Sequence, residues 1–370
     1  MSALFKSILK DALFVRSVVC NSCLERGSHQ YRKTITWENT IQFSEFLTKS
    51  VVYHDNGLLV LNKPYGVSFS RSSGSNNADK SSLDPEESVF NKQKKNNVKN
   101  SNSIYATSGI VSDSLNLVDC LPYLKQQFGY NKLYIARVPE KYVSGVAILT
   151  TSPELVEHIN KGRAHAPTGK DKYLAVVVGV PRYASGTIKL GFKLEQHPKK
   201  GKRVVLLQKW ANRAYKRGEI RIGTFHHQLI SSGYNDLASL VQINVDLRKY
   251  HAYRVFCADY LHSPVLGDNL FGSRVQTLMS VPTTVHHFND VADNPQRLPQ
   301  EMYRHLGLTS GEASIIPIHV HLEEMLLPRF FQKGQSLRLR APVPPHFLWT
   351  CERLGLTQQA DNRLLEQVEQ

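Results

Sequence analysis

The sequence predicts an α+β domain built on a mixed, largely antiparallel sheet. Short apolar runs of strand length outnumber segments with helical spacing. Val241, Ile243, Val245 and Leu247 alternate with Gln242, Asn244 and Asp246, the pattern of a strand with one wet face. The strands are joined by hairpin-like turns, which argues against a doubly wound sheet.

The elements follow in chain order. Residues 1–34 read as a mitochondrial presequence, which implies a mitochondrial matrix protein. Leu4, Phe5, Ile8, Leu9 and Leu13 share one helical face, accompanied by Lys6, Lys10 and Arg16, and only Asp11 and Glu25 are acidic. An ordinary amphipathic surface helix is the alternative. Cys20 and Cys23 form a CxxC pair with no second pair to complete a zinc site. The body is expected over 35–354. In it, Leu58 to Asn62 is a buried strand closed by the turn Lys63-Pro64-Tyr65-Gly66. Residues 70 to about 107 are rich in Ser, Asn and Lys and read as a disordered insertion, because they cannot bury enough apolar surface. Ser114 is positioned to cap a helix carrying Leu115, Val118, Leu121, Leu124 and Phe128, with Gly129 to end it. Val146 to Leu149 and Tyr173 to Val178 are further buried strands, and 355–370 form a C-terminal tail.

Charge narrows the function. Lys and Arg total 46 against 31 Asp and Glu, a formal +15 that attracts polyanions, nucleic acid first and an anionic membrane surface second. The densest basic stretch is Lys199 to Arg221, in which Trp210 and Tyr215 are interleaved and Glu219 is the single acid. Cations that follow phosphates and rings that stack on unpaired bases make this an RNA-binding candidate, led by Lys199, Lys200, Lys202 and Arg203. A solvated basic loop is the plainer reading. No apolar run approaches the roughly 18 residues of a membrane-spanning helix. His319 and His321 share a strand face but lack a third ligand, so no metal site is expected.

Several segments, taken together, resemble one family in order. They are Val51 to Asp55 with Leu58 to Gly66, Asp171-Lys172-Tyr173 to Gly179, His251-Ala252-Tyr253-Arg254-Val255, Pro264 to Gly272, Ile318-His319-Val320 and Ala341-Pro342-Val343-Pro344. From about Val51 to Leu354 the chain resembles the RluA-type RNA pseudouridine synthases. The resemblance implies the pseudouridine synthase fold with a central RNA-binding cleft, and a mitochondrial rRNA, mRNA or tRNA as substrate. It implies no cofactor, because moving uracil from N1 to C5 attachment involves no redox change. Mitochondrial ribosome assembly factors are candidate partners.

The resemblance also implies a site. The family carries an Asp in a His-Arg-Leu-Asp stretch, upstream of a Gly that follows Ser or Thr. Here Glu140 takes the Asp position, five residues before Gly145, and Val138 stands where the family has Arg. Arg137 supplies that Arg only with a one-residue shift, and is taken as an RNA contact. Tyr173 matches the tyrosine that packs against the target base. Arg254 matches the basic partner of the carboxylate. Arg248-Lys249 replaces the family's Gly-Arg, and Lys249 is taken as an RNA contact. Lys63-Pro64-x-Gly66 and Gly267-Asp268 read as fold-defining turns. Two functions stay open. One is a uridine isomerase using Glu140, Tyr173 and Arg254. The other is an RNA-binding factor in mitochondrial ribosome or transcript maturation that lacks catalysis. Only the first needs Glu140.

Overall fold

The strand-forming segments pair into one sheet of eleven strands. The protein is represented by a computed structural model that describes residues 29–69, 109, 112, 115–165, 170–279, 281–331 and 334–357. Helix α1 (Thr40–Lys49) leads into the hairpin β1 (Val51–Asp55) and β2 (Leu58–Lys63). Helix α2 (Leu117–Gln127), β3 (Tyr134–Arg137), β4 (Ser144–Thr150), α3 (Pro153–His165) and β5 (Asp171–Val178) follow. Then come β6 (Ser185–His197), β7 (Gly201–Leu207), the short α4 (Asn212–Lys216), β8 (Ile220–Ser232), β9 (Ala238–Val245) and α5 (Ala252–Val255). A separate hairpin, β10 (Val275–Leu278) and β11 (Val281–Thr284), precedes α6 (Gln300–Leu306), β12 (Val320–Leu327), β13 (Leu337–Arg340) and α7 (Pro345–Arg353).

The strand order is β1-β2-β4-β12-β5-β9-β8-β6-β7. Among the described residues only β4 and β12 pair in parallel, so the sheet is mixed and largely antiparallel as expected. Partner exchange along β4 shapes the site. Its start pairs with β12 through Ser144 and Gly145, whereas its end pairs with β3 through Ile148 to Thr150. The chain between β3 and β4, which carries Glu140, emerges where these partners part. Gly145 has φ 122°, and a Cβ there would lie 2.1 Å from the Leu322 carbonyl oxygen, so only glycine lets β4 and β12 approach.

Alternation along the strands builds a core on each face. Leu59, Leu61, Ala147 and Leu149 pack under α1 and α2 through Phe43, Leu47, Leu117, Cys120 and Leu124. Leu58, Val60, Val146, Ile148, Tyr173, Ala175 and Val177 belong to the main core with the residues of α5. On β9, Val241, Ile243 and Val245 are buried while Gln242 and Asn244 are half-buried, the predicted alternation.

The element boundaries differ in places. Helix α2 is capped by Asn116, whose side chain accepts from the Asp119 N–H, and its buried face is Leu117, Cys120 and Leu124, leaving Val118 exposed. Ser114, the expected cap, lies outside the described residues, as do residues 1–28, the Cys20–Cys23 pair, the 70–107 insertion and residues 358–370. The boundary drawn at residue 34 does not match the packing. Tyr31 is fully buried, its hydroxyl lies 2.8 Å from Thr350 Oγ1, and its ring stands edge-on to Trp349. The folded body therefore already includes His29 to Lys33. At the other end Leu356 is buried, so the body runs past residue 354.

Candidate active site

Two loops, the turn after β9, strand β5 and helix α5 assemble the site. Lys63, fully buried, ties the first loop down. Its ammonium donates to the carbonyls of Pro64 and Val67 at 2.9 Å each and to that of Lys141 at 3.5 Å. The Gly66 N–H adds a bond to the Lys141 carbonyl at 2.9 Å. The Lys-Pro-x-Gly turn is thus a brace for the segment that presents Glu140, as a fold-defining turn should be. Pro139 is buried beside it and stiffens the approach.

Glu140 faces His251. The His251 Nδ1–H donates to Glu140 Oε2 at 2.7 Å, and each side chain keeps about a quarter of its surface in solvent (25% and 23%). His251 is aimed by an unusual turn after β9, in which Tyr250 and His251 both have left-handed backbones (φ 64° and 50°). Two consecutive bulky residues in that region store strain of the kind found at functional sites. Burial pushes the Glu140 carboxyl pKa up. The charge and hydrogen bond of His251, the charge of Arg254 and the nearby Tyr253 hydroxyl outweigh it and hold the carboxyl below its ordinary value. Glu140 is therefore a carboxylate at neutral pH.

Tyr173 stands on β5 and is buried. Its ring stacks on that of Tyr253, with centroids 4.8 Å apart at 20°. Burial raises the pKa of both phenols, with the charge of Glu140 adding to it, so both stay protonated. The Tyr253 hydroxyl is buried beside Glu140 but falls short of a well-formed hydrogen bond to any described residue. Tyr173, the residue expected to border the base, thus has one face taken by Tyr253.

Arg254 differs from expectation. It is buried and makes a bidentate pair with Asp268, Nε to Oδ2 at 2.8 Å and Nη2 to Oδ1 at 2.6 Å. Asp268 also accepts from the N–H groups of Leu270 and Phe271 at 3.0 Å each. The Gly267-Asp268 turn is therefore locked by Arg254, which reaches Glu140 only through its field. The direct partnership with the carboxylate belongs to His251, because the loop carrying Glu140 meets the turn before α5 rather than α5 itself.

The second electrostatic knot lies at the start of β5. Asp171 is fully buried between Arg163 (2.7 Å) and Arg248 (3.0 Å), with Arg137 adding its field. Burial raises the Asp171 pKa, but the three guanidiniums bring it below its usual range. Arg248 also donates to the Val138 carbonyl at 3.4 Å and so links this knot to the Glu140 loop. Lys249, two residues before His251, sits half-buried next to the same turn.

The basic stretch divides. Lys199 and Lys202 are exposed on the β6–β7 hairpin. Lys200 and Arg203 turn to an internal acidic partner. Lys200 contacts Asp290 and lies 3.2 Å from Asp293, and Arg203 reaches Asp293 at 2.8 Å. Trp210 packs against the backbone of Gly191, whereas Tyr215 is half-exposed. His319 and His321 are buried and engaged by Pro317 and Thr350, and by Ser144 and Ala341, respectively. No helix among the described residues is long and apolar enough to cross a membrane.

Sequence reasoning named Glu140, Tyr173 and Arg254 but gave no role to His251, Tyr253, Asp171 or Arg163. The first two were visible only as members of the His-Ala-Tyr-Arg-Val stretch.

Comparison with known proteins shows the family and the fold. The human mitochondrial mRNA pseudouridine synthase RPUSD3 is 30% identical over 257 residues, covering 66% of this chain and 70% of that protein. The chain belongs to the RluA-type pseudouridine synthase family. Mouse Rpusd3 is 29% identical over 256 residues (66% of this chain, 71% of that one). Zebrafish mitochondrial pseudouridylate synthase RPUSD4 is 24% identical over 338 residues, covering 85% and 75% of the two chains. No protein-family profile matches. The solved structure of human RNA pseudouridylate synthase domain containing 4 superposes with a TM-score of 0.56 at 20% identity, covering 85% of this chain and 96% of that chain. This likeness shows the pseudouridine synthase fold. These relatives are named as mitochondrial proteins, in keeping with the basic amphipathic opening of this chain.

Proposed function

We propose that the protein is a mitochondrial RNA pseudouridine synthase in which Glu140 acts at the ribose of the target nucleotide. The observation that carries this reading is the Glu140–His251 pair, a half-open carboxylate kept ionised beside the Tyr173–Tyr253 stack. In the reaction the bond from uracil N1 to ribose C1′ breaks and a bond from C5 to C1′ forms. The C5 proton leaves, and N1 gains a proton, so atoms and electrons balance without a redox partner. An ionised carboxylate serves either as nucleophile at C1′ or as base at C2′. The uridine must first leave its stack. Tyr173 then borders the base, while Arg254 holds the turn that supports the site.

The matrix is the proposed compartment. The name of the human relative makes mRNA a candidate substrate, beside rRNA and tRNA. Mitochondrial ribosome assembly factors remain candidate partners. One observation favours a second reading, RNA binding without catalysis: Val138-Pro139-Glu140 stands where the family has Arg-Leu-Asp.

The test is uridine-resolved pseudouridine mapping of mitochondrial RNA from cells lacking the protein and cells rescued with wild type, Glu140→Gln or Glu140→Asp. Sites that vanish without the protein and return with wild type but not with Glu140→Gln support the enzyme reading. Restoration by Glu140→Gln would move the chemistry to another group. An unchanged map, with RNA still bound, would leave the non-catalytic reading.

A further inference from the structure

We propose that Arg137, backed by Arg248 and Arg163 around Asp171, is a receptor for one RNA backbone phosphate next to the target uridine. This rests on the RNA-modifying reading above and adds to it a substrate contact at a defined place.

Three guanidiniums gather at one carboxylate. Both oxygens of Asp171 are used, Oδ1 by Arg163 at 2.7 Å and Oδ2 by Arg248 at 3.0 Å. Arg163 spends a further N–H on the Leu326 carbonyl at 2.7 Å. Arg137 receives neither oxygen. Its one side-chain hydrogen bond among the described residues is a long one, 3.4 Å to Asn160 Oδ1, and its Nε is buried without a partner. The remaining carboxylates near this end are occupied, Asp246 by Lys170, Glu323 by Lys172, and Glu324 by Arg338 and Arg340. Among the described residues, Arg137 is therefore a half-buried cation that feels the field of Asp171 but has no ion pair of its own.

Burying a charge without a partner is costly, and two neighbouring cations add to the cost. Burial, followed by the fields of Arg248 and Arg163, lowers the Arg137 pKa to about 9. It still carries its charge at neutral pH. A cation held without an ion pair of its own, three residues before Glu140 in the chain, is suited to an anion supplied from outside. A planar guanidinium fork suits a phosphate in two-point contact.

The position selects the source. Arg137 ends β3, three residues before Glu140, and acts on Tyr173 through its field. A nucleotide whose ribose lies at Glu140 carries a phosphodiester on either side. Arg248 ties the knot to the Val138 carbonyl, so an anion drawn in by Arg137 also settles the loop that presents Glu140.

The test uses full-length wild type, Arg137→Gln and Arg137→Lys with fluorescein-labelled oligouridine, read by anisotropy between about 50 and 200 mM KCl. The expected result is that Arg137→Gln binds several-fold more weakly and flattens the slope of log K against log salt by about 0.7, as expected when one phosphate on a single strand is no longer neutralised. Arg137→Lys should keep the slope and recover part of the affinity. Inorganic phosphate should not compete for the oligouridine beyond the effect of matched ionic strength. Thermal unfolding gives an independent readout. Removing an unpaired like charge should leave the Tm of Arg137→Gln unchanged or raise it, whereas a structural arginine would lower it. Equal slopes in wild type and Arg137→Gln, or a lowered Tm with an unchanged slope, overturn the phosphate receptor alone. Strong competition by inorganic phosphate overturns its assignment to RNA. Failure of wild type to bind oligouridine overturns the RNA reading and this proposal with it.

Discussion

Glu140 accepts its short hydrogen bond from His251, at 2.7 Å, while Arg254 gives both of its to Asp268. The extra methylene of Glu over Asp, about an ångström of reach, is a length that matters at an active site. Here the longer side chain meets an imidazole donated by a strained turn.

The first prediction concerns the pH profile. His251 is the leading cause that keeps Glu140 ionised against its burial. The proposed mechanism needs the carboxylate, so kcat/KM should fall as pH drops through its pKa. In His251→Ala that acid limb should move to higher pH, and the rate at neutral pH should fall by roughly ten- to a hundredfold from poorer positioning. A lower rate with the acid limb unmoved would show that His251 does not set the charge of Glu140.

The second concerns the buried ion pair. Asp268→Asn leaves the Arg254 guanidinium with no carboxylate at its hydrogen-bonding atoms. Breaking such a pair costs about 3–5 kcal/mol. Urea unfolding should register most of that, with a Tm many degrees lower. Wild-type stability in Asp268→Asn would mean that Arg254 finds its main partner elsewhere, with Glu140 the first to test.

A third separates the cations of the basic hairpin. Lys199→Ala with Lys202→Ala should weaken oligouridine binding and flatten its salt slope by about 0.7 for each phosphate no longer neutralised. Lys200→Ala with Arg203→Ala removes cations already held by Asp290 and Asp293, so the change should be mainly a small drop in stability. Equal effects of the two pairs on the salt slope would show that RNA displaces the acidic turn.

The buried histidines supply the fourth. Burial lowers His319 and His321 to about 4, and burial, with the fields of those two rings, also holds His346 well below its ordinary value. The unfolded chain titrates near 6.5, so below that pH it binds protons the folded protein refuses. Stability is then fully present above about 6.5 and falls as pH drops towards 4. The decrease by pH 5 should be roughly 2 kcal/mol for each of His319 and His321, with His346 adding in the same direction. Urea midpoints at pH 7, 6 and 5 measure it, and identical midpoints would contradict it.

Much of this protein was legible in its order of residues. Apolar runs and strand alternation are local, so the α+β class, the burial of β2 and β5 and the one wet face of β9 followed from them. The motif series identified the family, and the Ser144-Gly145 step located Glu140. The close approach of β4 to Leu322 explains why that glycine stands there. Tertiary structure alone decided the pairings. Glu140 and His251 are 111 residues apart, Lys200 and Asp293 are 93 apart, and Tyr31 meets Thr350 across 319. Sequence states which side chains carry charge and how far they reach. It does not state which opposite charges the sheet order brings together, because one carboxylate has several cations within chemical reach and only the fold selects among them. For the same reason a basic run looked uniformly free, when the fold had already turned Lys200 and Arg203 to Asp293 and left Arg137 without an ion pair of its own among the described residues.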